Sequence, residues 1–260
     1  MSKHLFSDVS LSIKGAGCTV FTVRNSKDEV LFCRNYDFPY SPSLQLFTAP
    51  CAGHASVSTV NLMFMGYAEE NLPFGLNINS FLTVLSPYLP MDGVNEKGLA
   101  IALLSVPIAT PTFNDIILNT STSIRLVLDK ASTVEEAIEL LEQYNIYFSQ
   151  DIYVQFMIAD ASGKSAIVNY WDDNVKVTTV DSAYQIAANF IPYNGLNISE
   201  GDFAFERYDK VKAVSENNSG VLSEKQAADL LVEVGSGEGL QWSVVYNIST
   251  LEGNIFAGGC

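Results

Sequence analysis

The chain has 260 residues, is 48% hydrophobic, and carries 14 Lys plus Arg against 29 Asp plus Glu, a formal charge of −15. That size and apolar content suit one domain with a substantial core, yet no run approaches the roughly 18 uninterrupted apolar residues of a membrane span. The acidic balance repels polyphosphate and no basic stripe reverses it, so neither nucleic acid nor a membrane span is expected.

From Cys18 to Phe38 the pattern predicts an antiparallel hairpin: "CTVFTVR" alternates β-branched and aromatic residues, "NSKDE" is a polar turn, and "VLFCRNYDF" resumes the apolar run. Pro39 and Pro42 interrupt it, and two β-rich runs are predicted over residues 57–66 and 80–86. "MDGVNEKG" reads as a turn around Gly93 and Gly98, followed by a strand from Leu99 to Val106 buried on both faces. Residues 121–144 take helical spacing, with Ser132-Thr133 ahead of Glu135-Glu136 as an N-cap, so two helices end to end are predicted. A β-meander over 152–190, helices at about 203–216 and 223–234, and a closing hairpin complete the chain. This order suggests an α+β protein of two sheets with helices packed outside them.

Cys18, Cys33, Cys51 and Cys260 show neither CxxC spacing nor disulfide-scaffold density, which suggests a reducing, cytoplasmic location and no metal site. The segment before Cys18 is broken by Ser7, Asp8, Ser10, Ser12 and Lys14, so it lacks the apolar core of a secretory signal. With only His4 and His54, the chain is poor in the usual general base. Were it cut between Gly17 and Cys18, the new α-amine, with an ordinary pKa of about 7.7–8.0, would supply a base within the nucleophilic residue itself. The alternative is that Cys18 is a small hydrophobe at a strand start. Arg34 and Asp37 return to the level of Cys18 on the partner strand, either as site residues or as a surface ion pair. Three apart, they fall on opposite faces of an ideal strand, so a bend near Asn35 is expected if both are to reach the thiol.

"CT" opening the first strand, "RNYDF", "GVNEKGLAIA" and the later pair Asn189 and Arg207 together resemble the choloylglycine hydrolase, penicillin V acylase and acid ceramidase group of N-terminal nucleophile (Ntn) hydrolases. The resemblance implies a four-layer αββα sandwich of mainly antiparallel sheets, residues 1–17 as a propeptide removed autocatalytically, and a single catalytic domain over 18–260. It implies hydrolysis of a linear amide C–N bond through an acyl-enzyme on Cys18, with no cofactor. Arg34 would lie beside the thiolate, Asp37 would hold the α-amine, and Arg207 would be a second active-site arginine, or else a solvated helical residue. Asn189 and the backbone N–H of Ser105 would form the oxyanion hole. Serine at 105 stands where bile-salt hydrolases carry asparagine, which points away from a bile-salt substrate.

The expected partner is a small-molecule N-acyl amide, with an N-acylated amine or amino acid as substrate; the alternatives are acyl transfer to an amine, or a catalytically silent binding homologue that keeps its leader. Homo-oligomerisation stays open. Phe47, Met63, Met65 and Tyr67 are candidate lining residues for the acyl group, or else core.

Overall fold

The computed structural model describes residues 17–73, 78–112, 114–148, 152–191 and 203–257. Residues 1–16 of the expected propeptide, and Cys260, lie outside them.

The expected hairpin forms as β1 (Gly17–Arg24) and β2 (Val30–Asp37), paired without a break from Gly17 opposite Asp37 to Arg24 opposite Val30. The chain continues through β3 (Ser43–Thr48), β4 (Ser56–Asn61), β5 (Pro90–Asn95), β6 (Ala100–Ser105), β7 (Ile117–Asn119), α1 (Thr120–Lys130), α2 (Val134–Glu142) and β8 (Asn145–Tyr147). Then come β9 (Val154–Ala159), β10 (Ser165–Trp171), β11 (Asn174–Thr179), β12 (Gln185–Ala187), α3 (Phe203–Asn217), α4 (Glu224–Glu233), β13 (Leu240–Asn247) and β14 (Glu252–Ala257).

Among the described residues two large antiparallel sheets form, one ordered β12-β1-β2-β13-β14 and the other β11-β10-β9-β6-β5-β4-β3. α1 and α2 pack on the second sheet, α3 and α4 on the first, and β1 meets β6 between them, giving the αββα sandwich. Strand alternation sorts the hairpin between the layers. Val20, Phe32 and Tyr36 join Cys18 in the core between the sheets, while Phe21, Val23, Leu31 and Cys33 face α3 and α4.

The helix caps follow from the sequence. Thr133 caps α2 by accepting from the Glu136 N–H, and Asn119 caps α1 by accepting from the Thr122 N–H.

Five local expectations are corrected. Residues 80–86 lie in a 3-10 segment, Ile78–Tyr88, whose Phe81 and Val84 are exposed; apolar side chains alone do not make a strand without a neighbouring sheet edge to pair with. Of residues 57–66, the strand ends at Asn61, which caps a 3-10 turn over Leu62–Met65. Gly93 sits inside β5 rather than in a turn, where a Cβ would come within 2.6 Å of the Val57 carbonyl oxygen. The fourth strand of the expected meander, β12, leaves β9–β11 and pairs with β1 in the other sheet. β2 needs no bend at Asn35; the register shift lies in its neighbour β13, between Leu240 and Trp242.

Candidate active site

Cys18 lies at the second position of β1, 5% exposed, with its side chain between the sheets. Alternation places Arg34 on the same face, and its Nη2 lies 3.8 Å from Cys18 Sγ while donating to the Leu103 carbonyl at 3.0 Å. Asp37 falls on the opposite face, toward α3, so the two residues reach Cys18 from different sides without a bend. Asp37 Oδ2 lies 3.8 Å from Arg207 Nη1, and Oδ1 accepts from the Ser236 N–H at 2.8 Å and the Ser236 hydroxyl at 2.9 Å.

Asn189, just beyond β12, joins these groups. Its Oδ1 accepts from the Cys18 N–H at 2.6 Å and from Arg207 Nη2 at 2.7 Å, which fixes the oxygen end of the amide. Its Nδ2 then donates to the Ser105 carbonyl and hydroxyl, both at 2.9 Å. Arg207 also donates to Thr19 Oγ1 at 2.7 Å and is buried, so it is no solvated helical residue. A Cβ on Gly17 would meet Arg207 Nη2 at 2.7 Å, so residue 17 passes directly against this guanidinium.

Ser105 ends β6. The Val106 N–H is bonded to the Tyr153 carbonyl in the extension of β9, so by strand alternation the Ser105 N–H points to the other edge of β6, where Leu103 receives Arg34.

Burial pushes the Cys18 thiol pKa up; Arg34 and Arg207 draw it down and Asp37 adds to the rise, with a net upward shift. Burial likewise raises Asp37, against the hydrogen bonds from Ser236 and the two arginines.

The structure therefore brings Cys18, Arg34, Asp37, Ser105, Asn189 and Arg207 together. The expected lining residues are scattered: Phe47 is 73% exposed on the edge strand β3, Met63 packs against the core between the sheets, and Met65 and Tyr67 belong to a separate cluster with Val60 and Leu62. Sequence reasoning missed Asp92, Trp242, Tyr36 and Tyr246, which surround Arg34. It also missed a cavity of about 390 Å³ lined by Ala109, Pro111, Ile117, Ile146, Phe148 and Tyr153 among others, next to the Val106–Tyr153 bond. Among the described residues no group of three or more His, Cys, Asp or Glu is arranged to hold a metal ion, and no helix is long and apolar enough to cross a membrane.

Two stacked antiparallel sheets between helical layers form the αββα sandwich of the Ntn-hydrolase fold, with the Cys18 thiol on its first strand. Residues 18–220 match the linear amide C-N hydrolases, choloylglycine hydrolase family, and the chain belongs to that family.

It is 28% identical over 203 residues to the bile salt hydrolase/transferase of Clostridium perfringens, covering 70% of this chain and 59% of that protein. It is 34% identical over 111 residues to the penicillin V acylase of Pectobacterium atrosepticum, covering 38% of this chain and 29% of that protein. The matched stretches thus span less than two thirds of either relative.

In fold, the chain resembles crystal structures of the conjugated bile acid hydrolase from Clostridium perfringens, a cysteine-to-alanine mutant and an arginine-to-leucine variant. The TM-scores are 0.65 and 0.66 at 18% identity, with 92% of each chain covered. The two substituted positions lie 16 residues apart, the separation of Cys18 and Arg34.

Proposed function

We propose that the chain is a cysteine Ntn amidohydrolase that cleaves the linear amide bond of an N-acylated amine or amino acid. The observation that carries this is the placement of Cys18, whose sulfur faces Arg34 at 3.8 Å while its backbone nitrogen is held by Asn189 at 2.6 Å. The family match beginning at Cys18 and the shared 16-residue spacing support it.

Maturation starts with attack of Cys18 Sγ on the Gly17 carbonyl carbon, an N-to-S acyl shift. The shift breaks the Gly17–Cys18 C–N bond and frees the α-amine of Cys18, and water then hydrolyses the resulting thioester, releasing residues 1–17 as the acid and restoring the thiol. That amine takes the thiol proton, which matters because burial disfavours spontaneous ionisation. The thiolate, beside the Arg34 guanidinium, adds to the amide carbon of the substrate. Asn189 Nδ2 and the Ser105 N–H donate to the oxyanion, Asn189 Nδ2 exchanging its bonds to Ser105 for this one. The α-ammonium returns its proton to the leaving amine, and water attacks the acyl-thioester to release the acid. Asp37, held by Ser236 and close to Arg207, anchors this end of β2 and receives the α-ammonium.

The cavity lined by Ala109, Ile117, Phe148 and Tyr153, next to Val106, would take the acyl chain. Free Cys18, Cys33 and Cys51 among the described residues support the cytoplasm as the compartment.

The test is hydrolysis of a panel containing a glycine-conjugated bile salt, penicillin V and N-acyl amines of graded chain length. The expected result is amine release by wild type that is lost in Cys18→Ala, with the bile salt a poor substrate; equal turnover by Cys18→Ala contradicts the proposal. A competing amine in the same assay separates hydrolysis from acyl transfer, the second reading favoured by the hydrolase/transferase relative.

A further inference from the structure

Arg34 is fully buried, and a buried guanidinium needs a charge partner as well as hydrogen bonds. Asp92 supplies the charge. It is equally buried and sits on β5 of the opposite sheet, in the "MDGVNEKG" stretch. Its Oδ2 accepts from Arg34 Nη1 and from Trp242 Nε1 at 3.0 Å, and its Oδ1 accepts from the Tyr246 hydroxyl at 3.3 Å. Arg34 Nη1 also donates to the Met91 carbonyl at 3.0 Å.

A guanidinium is a rigid plane, so fixing one terminal nitrogen fixes the direction of the other. With Nη1 held by Met91 and Asp92 and Nη2 by Leu103, the remaining reach of Nη2 is toward Cys18 Sγ. The aromatic pair Tyr36 and Trp242, stacked at 3.9 Å, closes the cage, with the guanidinium carbon 4.9 Å and 5.8 Å from their rings.

We propose that Asp92 is a positioning residue that aims the Arg34 guanidinium at the Cys18 sulfur from across the two sheets, with Trp242 as the brace that holds the carboxylate. This rests on Cys18 being the nucleophile. The charged and titratable groups facing the thiol and its cation are Arg34, Tyr36 and Asp37 from β2, Arg207 from α3, Asp92 from β5 and Tyr246 from β13. Asp92 acts through Arg34.

The test is the pH dependence of Cys18 alkylation by iodoacetamide, read from the mass of the peptide that carries Cys18 so that the exposed Cys51 does not contribute. Asp92→Asn is expected to move the inflection upward by about one pH unit or more, because the cation loses its aim. Trp242→Phe keeps an aromatic ring against Tyr36 and deletes one donor to Asp92, so it is expected to give a smaller shift in the same direction. It decides the matter if Asp92→Asn does not fold. Folded variants whose inflections equal or fall below that of wild type overturn the proposal. A wild-type Cys18 that resists alkylation at every pH instead overturns the nucleophile reading, and the proposal falls with it.

Discussion

Cys18 enters this fold as a thiol under opposed influences: burial disfavours the thiolate, Arg34 and Arg207 favour it, and Asp37 opposes it again. A thiol held neutral needs a base in contact, and the α-amine freed by the proposed cleavage meets that need on the same residue, His54 lying instead against Ser132 and Glu96. Asn189 binds the Cys18 nitrogen with its oxygen and points its amide N–H₂ at Ser105, whose own N–H is the second expected oxyanion donor. Asn189→Ala should therefore lower kcat by about 10²–10³ with little change in KM, as loss of one oxyanion donor does, measured by steady-state kinetics on whichever panel amide is cleaved fastest. Unchanged kcat would remove Asn189 from the site.

At this scale the sequence was legible where residues lie close along the chain. Cys18, Arg34 and Asp37 share one hairpin, so their proximity follows from its turn. Asp92 and Trp242 lie 58 and 208 residues from Arg34, on strands that meet it only when the sheets stack and align, and no local pattern marks them.

Among the elements, β1 and β2 carry the arrangement because their alternation divides the work. Even-numbered residues put the thiol and Arg34 between the sheets, while odd-numbered residues put Asp37 and Asn35 toward the helices. A one-residue slip in register would exchange these sets, which is why the unbroken pairing of eight residue pairs matters more than any single contact.

β12 shows why strand order was hidden. Three buried residues, Gln185–Ala187, continue the meander in sequence but cross to β1 in space, and that crossing brings Asn189 to Cys18. Gln155 of β9 secures the same segment by donating to the Ala188 carbonyl at 2.6 Å and the Phe190 carbonyl at 3.2 Å on either side of Asn189. The apolar run at 80–86 misled in the opposite direction, since strand propensity describes fit to a half-buried pleated surface that this segment does not occupy.

For the molecule as a whole, the two cores on either face of the β1–β2 hairpin house both the stability and the candidate chemistry. Burial raises the pKa of the Cys33 thiol and of the Tyr36, Tyr170 and Tyr246 phenols above their ordinary values of 9.0 and 10.0. The unfolded chain releases these protons near the ordinary values while the folded chain retains them. Their contribution to stability is thus complete below those values and lost as pH rises above them, at up to about 1.4 kcal/mol per pH unit per group. Urea unfolding midpoints should fall steeply between pH 8.5 and about pH 11; a flat profile over that range would mean that these groups are already accessible in the native state.

Whether Cys18 becomes the first residue of the working protein is read from intact mass spectrometry of the purified full-length product beside its Cys18→Ala variant. Wild type is expected to have lost residues 1–17 and Cys18→Ala to keep all 260. A wild type that retains Met1 to Gly17 while cleaving amides, or a Cys18→Ala variant processed like wild type, would contradict it.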